Sequence, residues 1–252
     1  MRLQHMTWPE VEEYLREKRS IIVPIGSTEQ HGPTGLIGTD AISAEQVALG
    51  VGEAEGVIVA PTLAIGMAQH HLGFAGSITL RPSTLIAVVR DVVESLARHG
   101  FERFFFINGH GGNIATVTAA FSEIYAERSL RGGTGSDAAP AVECRLKNWW
   151  QTPTVHALSK ELYGIAEGSH ATPSEVAVTQ FLHPETIKVK VFDPPIAPQG
   201  GFTDAANYRH RFPDGRIGSN PGLATPEAGR QIYEAAVADI AAEFRKWASG
   251  SA

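Results

Sequence analysis

Short runs of β-branched and aromatic residues alternate along the chain with longer stretches whose apolar positions recur at helical spacing. That alternation is the pattern of a parallel sheet covered by helices, so the expected class is α/β: a three-layer sandwich whose mostly parallel central sheet is flanked by helices. Ser20 to Ile25 reads as the first strand, and a loop punctuated by Gly and Pro runs through Gly38 into a helix from about Asp40 to Leu49. Val57 to Ala60 reads as a second strand, Ser77 to Leu80 as a short extended piece, and Pro82 to His99 as a long amphipathic helix with proline in its first turn. Arg103 to Ile107, with three consecutive phenylalanines, is a strand that breaks at Asn108-Gly-His110-Gly-Gly112-Asn113 into a helix reaching about Arg128. Beyond a Gly/Ser/Ala-rich loop from Arg131 to Pro140, strand character resumes over Ala141 to Trp150. Residues 193–221 are rich in Gly, Pro and Asn, and a loop of that length suits a lid or an oligomer contact. Pro226 to Trp247 forms a last amphipathic helix.

A length of 252 residues suits one compact domain spanning residues 1–252. The 21 Lys and Arg against 27 Asp and Glu leave a net charge of −6, and no basic run is long enough to track phosphates, so nucleic acid is not an expected partner. Cys144 is the only cysteine. That leaves no disulfide framework and no thiolate zinc site, and it fits a reducing cytoplasm. Met1 to Trp8 lacks a signal-peptide pattern, and no apolar run approaches the roughly eighteen residues of a membrane span.

The chemistry-bearing residues collect after two of the strands. Glu29 and His31 lie two apart just past the first strand, so in extended chain their side chains share one side and can reach one ion. Asp40 returns after a glycine-rich loop at a helix start, where it could equally be a cap. His110 follows another strand, on the edge where open α/β sheets bind ligands. Carboxylates and imidazoles together suit zinc, manganese or iron rather than calcium or magnesium. The rival for Gly109 to Gly112 is an anion-binding nest over a helix start, but Walker spacing and its lysine are absent. A third element, Ser169-His170-Ala-Thr-Pro-Ser-Glu175, places a histidine and a glutamate on either side of a probable helix start, catalytic or merely capping. No Gly-x-Ser-x-Gly elbow occurs, and Cys144 falls within a strand, so covalent catalysis is disfavoured.

In order and spacing these elements resemble the creatininase family, whose members carry a GSxEQHGPH-like loop, a GTD, an NGHxxN and an HAGxxET segment. Here they read Gly26-Ser-Thr-Glu29-Gln-His31-Gly-Pro-Thr34, Gly38-Thr-Asp40, Asn108-Gly-His110-Gly-Gly-Asn113 and His170 to Glu175, with a family-like tail from Gly222 to Arg230. The resemblance implies two divalent ions, one near Glu29 and His110, the other near His31, with Asp40 bridging and Glu175 available to the second. It implies a metal-activated water that cleaves a C–N bond of a small amide or cyclic amide, with His170 serving the leaving nitrogen or the tetrahedral intermediate. It also implies a homo-oligomer, a hexamer or related ring. Creatinine-cleaving members carry a metal-binding glutamate where this chain has Gly112, which makes the second ion dependent on Glu175 and argues against creatinine as substrate. Thr34 and Thr172-Pro173 also depart from the pattern. Trp149, Trp150, His70, His71 and Phe74 are expected near the same edge, where they could shape a planar substrate. The alternatives are a metallopeptidase trimming a small modified peptide, hydrolysis of a keto sugar, or a non-catalytic protein binding an anionic metabolite through Gly109 to Gly112.

Overall fold

The computed structural model describes residues 1–130 and 141–250. Four strands, β1 (Ser20–Ile25), β2 (Ile58–Val59), β3 (Arg103–Asn108) and β4 (Glu143–Asn148), form one all-parallel sheet in the order β2-β1-β3-β4. Its register aligns Ile58, Ile21, Phe104 and Cys144 across the sheet. Both faces are covered, which is why β1 is buried at every position and reads as a continuous apolar run.

The helices are α1 (Trp8–Glu17), α2 (Thr39–Glu55), α3 (Pro82–Ala97), α4 (Asn113–Leu130), α5 (Pro153–Tyr163), α6 (Pro173–Leu182), α7 (Ala205–Arg211) and α8 (Pro226–Ala248). Strand alternation divides them into two layers. Ile21, Val23, Phe104 and Phe106 pack against Leu85, Val89 and Val93 of α3 and Val117 and Phe121 of α4, with α1 at the margin. Ile22, Phe105 and Ile107 face Val47 and Val51 of α2, Ala177 and Val178 of α6, and Ile232, Ile240 and Phe244 of α8. The expected three-layer α/β sandwich is therefore the observed one.

Several elements differ in extent. The helix expected to stop near Leu49 runs to Glu55, because Gly50 and Gly52 serve as close-contact points: a Cβ at Gly50 would meet Val237 at 2.7 Å, and one at Gly52 would meet Val59 at 2.5 Å. Ser77 to Leu80, the expected short extended piece, stays outside the sheet and forms one isolated bridge, Ile78 with Thr28. Helices α1 and α5 carry entry signals, a Thr7–Glu10 capping box and Pro153 after Thr152, that the apolar pattern did not reveal. The 193–221 stretch contains α7, started by the Asp204 side chain accepting from Asn207 N–H. Cys144 is only partly buried in β4, where burial pushes its thiol up to about 12. The loop expected over Arg131 to Pro140 lies outside the described residues.

Candidate metal centre

In this strand order, the connections after β1 and β3 leave in opposite directions and open a crevice at the carboxyl edge of the sheet. The strands end level, Ile25 opposite Asn108 and Asn108 opposite Asn148. Asp40 enters from the first turn of α2, so close that a Cβ on Gly109 would lie 2.1 Å from the Asp40 carbonyl oxygen. Glycine is needed there for the approach. The flanking asparagines hold the loops together: Asn113 Nδ2 donates to Gly26 O at 2.9 Å and its Oδ1 accepts from Met67 N at 3.0 Å, while Asn108 Nδ2 donates to His110 O at 2.7 Å.

The third element is turned inward by Ala171, whose φ of 53° is left-handed. Glu175 caps a helix with one oxygen and faces the histidine cluster with the other. Its Oε2 accepts from Thr172 N at 2.7 Å, closing a capping box on α6, while Oε1 stands 3.1 Å from His31 Nε2.

Asp40 stands at the middle. Its Oδ1 is 3.0 Å from His31 Nε2 and its Oδ2 is 3.1 Å from His110 Nδ1. The far nitrogen of each ring faces a backbone carbonyl: His31 Nδ1 lies 3.1 Å from Glu29 O, and His110 Nε2 lies 3.1 Å from Met67 O. In the neutral rings those far nitrogens donate, so each ring turns a lone pair toward carboxylate oxygens. Acceptor facing acceptor at this range repels unless a cation lies between them, and an imidazole oriented by a carbonyl is the usual arrangement of a metal-ligating histidine. The buried oxygens agree: among the described residues Glu29 Oε1 and Oε2 and Asp40 Oδ2 form no hydrogen bond of good geometry, although a histidine nitrogen stands 3.1–3.3 Å from each. Among the described residues, three triads each bring their donor atoms within 4.8 Å of one another: Glu29-Asp40-His110, His31-Asp40-Glu175 and Glu29-His31-His170. This donor set fits borderline divalent ions such as zinc or manganese.

Without an ion, protons take the cations' place. Burial alone would lower His110, but Glu29 and Asp40 outweigh it and raise it to about 9. His31 is likewise disfavoured by burial yet held well above the imidazole range by Asp40 and Glu175. Burial pushes Asp40 and Glu29 up, and the facing imidazoles pull both below the usual carboxylate range. His170 goes the other way, well below its ordinary value, through burial and the neighbouring His71 and His31 rings.

The sign follows for His110. A folded value raised from 6.5 to about 9 gives metal-free protein a stabilisation that is complete below about 6.5 and lost as pH rises through about 9. A metal ion must displace that proton. Metal affinity is therefore expected to climb with pH up to about 9 and then level off, with proton release at pH 7. Calorimetry in buffers of different ionisation enthalpy measures this, and pH-independent affinity between 7 and 9 would refute it.

Asp40, His110, His170 and Glu175 line a cavity of about 440 Å³ whose far wall is Trp149, Trp150, Gln151, Ser159 and Glu167. The size suits a small molecule. Both tryptophans thus reach the cavity, although Trp149 also belongs to the core. Thr172 lines it as well. His70, His71 and Phe74 do not: they lie behind the carboxylates, with His71 Nε2 3.1 Å from Glu29 Oε1, His70 stacked on Phe202, and Phe74 edge-on to Tyr208. Glu167, unremarked in the sequence, accepts from the Ser174 hydroxyl and is raised to about 7 by burial.

Paired carboxylates and imidazoles converging at the open edge of a parallel sheet form a candidate metal centre of the kind that hydrolases use. Comparison with known proteins agrees. Residues 4–244 match the creatininase family model, described as creatinine amidohydrolase, and the chain belongs to the creatininase family. It is 28% identical to a mycofactocin precursor peptide peptidase of Mycobacterium ulcerans, over 97% of this chain and 88% of the relative. It is 26% identical to a 3-dehydro-scyllo-inosose hydrolase of Thermotoga maritima, over 92% of this chain and 78% of the relative. A mutant creatininase solved with creatine superposes with a TM-score of 0.84 at 25% identity, over 97% of each chain.

Proposed function

We propose that this chain is a metal-dependent amidohydrolase that cleaves a C–N bond in a small amide or cyclic amide other than creatinine, with residues 1–252 acting as one catalytic domain. The observation that carries the reading is Asp40, whose two oxygens face the lone pairs of His31 and His110 at 3.0 and 3.1 Å. In this reading Glu29, Asp40 and His110 hold one ion, and His31, Asp40 and Glu175 hold the other. Bound there, two divalent ions supply an activated water and a Lewis acid for the scissile carbonyl. The residues around them do the rest. His170 Nε2 lies 2.8 Å from Gln30 O, which leaves Nδ1 unprotonated on the centre's side, able to take a proton and return it to a leaving nitrogen. Trp150 and Trp149 form the wall against which a planar substrate would lie. The anion-binding alternative is disfavoured because Asp40, Glu167 and Glu175 all line the same cavity.

Stripping the protein with a chelator, reloading it with zinc, manganese or ferrous iron, and assaying lactams, N-acyl amines and short peptides with modified ends tests this reading. Hydrolysis that appears only on reloading supports it; amide hydrolysis that persists in metal-free protein overturns it. Replacing Glu175 by Gln is expected to lower zinc content from two ions per chain to one, because the Glu29-Asp40-His110 triad is untouched. Elemental analysis of the purified variant reads this directly.

A further inference from the structure

We propose that His71 is a positioning residue of the metal centre, held by Gln30 in the tautomer that carries its proton on Nε2 and so presents an N–H, not a lone pair, to Glu29. The inference rests on the two-metal reading above. It comes from one buried amide. Gln30 Oε1 accepts from Gly32 N at 2.8 Å, which fixes the amide so that its NH₂ points the other way. The amide nitrogen then lies 3.0 Å from Gly215 O, 2.9 Å from His71 Nδ1 and 2.9 Å from His170 Nε2.

Two amide hydrogens must be shared among four neighbours, the fourth being the Tyr208 hydroxyl at 3.4 Å, the longest of the contacts. His170 Nε2 is only 2.8 Å from Gln30 O, an atom that can only accept, so that ring nitrogen carries a proton and cannot receive one. Gly215 O and His71 Nδ1 remain as the nearest acceptors. A neutral His71 that accepts at Nδ1 carries its proton on Nε2, the atom 3.1 Å from Glu29 Oε1. His71 is thus arranged opposite to His31 and His110. Their far nitrogens face backbone carbonyls and they turn lone pairs inward; its far nitrogen faces an amide N–H and it turns a proton inward.

The ring has little freedom to do otherwise. It is buried, stacked on His170 at 4.3 Å between centroids, and edge-on to Tyr208 at 4.7 Å. The Tyr208 hydroxyl donates to the same Gly215 carbonyl at 2.8 Å, pinning the anchor that holds Gln30. His71 Nε2 stands 3.1 Å from Glu29 Oε1, and His110 Nε2 stands 3.3 Å from Oε2. A proton on His71 Nε2 therefore sets an N–H, rather than a competing lone pair, beside Oε1 of Glu29, the orienting role that partners of metal-ligating carboxylates commonly play.

The test uses full-length protein labelled with ¹⁵N-histidine and loaded with zinc, together with zinc titrations of wild type and Gln30→Glu. Long-range ¹⁵N–¹H spectra are expected to show His71 protonated on Nε2 and His31 on Nδ1. In Gln30→Glu a carboxylate faces Nδ1 and draws the ring proton there. The ion on the Glu29 side should then bind about 10–100-fold more weakly, with the His31-Asp40-Glu175 ion unchanged. Wild-type His71 protonated on Nδ1, or a Gln30→Glu protein that keeps both ions at wild-type affinity, would overturn the inference while leaving the two-metal reading intact. A wild type that takes up no zinc would remove both.

Discussion

Replacing Asp40 by Asn is expected to empty both metal positions at once, because Asp40 belongs to both the Glu29-Asp40-His110 and the His31-Asp40-Glu175 triads. Partners of ligands alone are worth about 10–100-fold in affinity, so loss of a shared ligand should exceed about 100-fold at each ion. Amide hydrolysis should fall with metal content. The fold should survive at a lower melting temperature, since Asn is nearly isosteric but loss of a carboxylate buried between two imidazoles costs about 3–5 kcal/mol. Zinc analysis beside a thermal melt separates the two effects: a cooperative melt with less than a tenth of the wild-type zinc is the expected pair, and retention of both ions would contradict the bridging role.

The second large effect is expected at Gly112, where creatinine-cleaving relatives carry a metal-binding glutamate. Restoring that glutamate should harm this protein. A Cβ at position 112 would lie 2.4 Å from His110 Nε2 and 2.6 Å from Met67 O, so the ring must leave the carbonyl that orients it. Forced repacking of this kind costs about 1–3 kcal/mol. For a chain of this size that corresponds to roughly 2–4 °C of melting temperature per kcal/mol. Gly112→Glu is therefore expected to melt several degrees lower, to lose the ion on the Glu29 and His110 side, and to gain no creatinine hydrolysis. Unchanged melting and metal content would mean that His110 has room the geometry does not show.

How much of this could be read beforehand depended on whether the information was local. Glu29 and His31 share a side because they are two apart in extended chain, and the Asn108 to Asn113 turn announces itself by its glycines, so the carboxyl edge of β1 and β3 was legible. Asp40 was legible as a residue but ambiguous in role, since an aspartate at a helix start is an ordinary cap. Packing places it beside His31 and His110, through the close approach of α2 to Gly109. Glu175 illustrates the same limit: one oxygen caps α6 and the other faces His31, two roles that a motif cannot apportion. His71 was expected near this edge as a wall for a planar substrate, whereas it lies behind Glu29 and outside the cavity. It lies about forty residues from Glu29 in a short turn, and its tautomer depends on Gln30, Gly215 and Tyr208 meeting across 185 residues of chain. Helix α7 was hidden by the Gly and Pro content around it, whereas the three-layer order followed from alternation alone because both sheet faces are buried.

The most direct test of a paired metal centre is a calorimetric titration of chelator-stripped protein with zinc at pH 7. The geometry predicts two ions per chain, bound with release of protons from His31 and His110. Fewer than one tightly bound ion per chain, or two that bind equally well to Asp40→Asn, would contradict it.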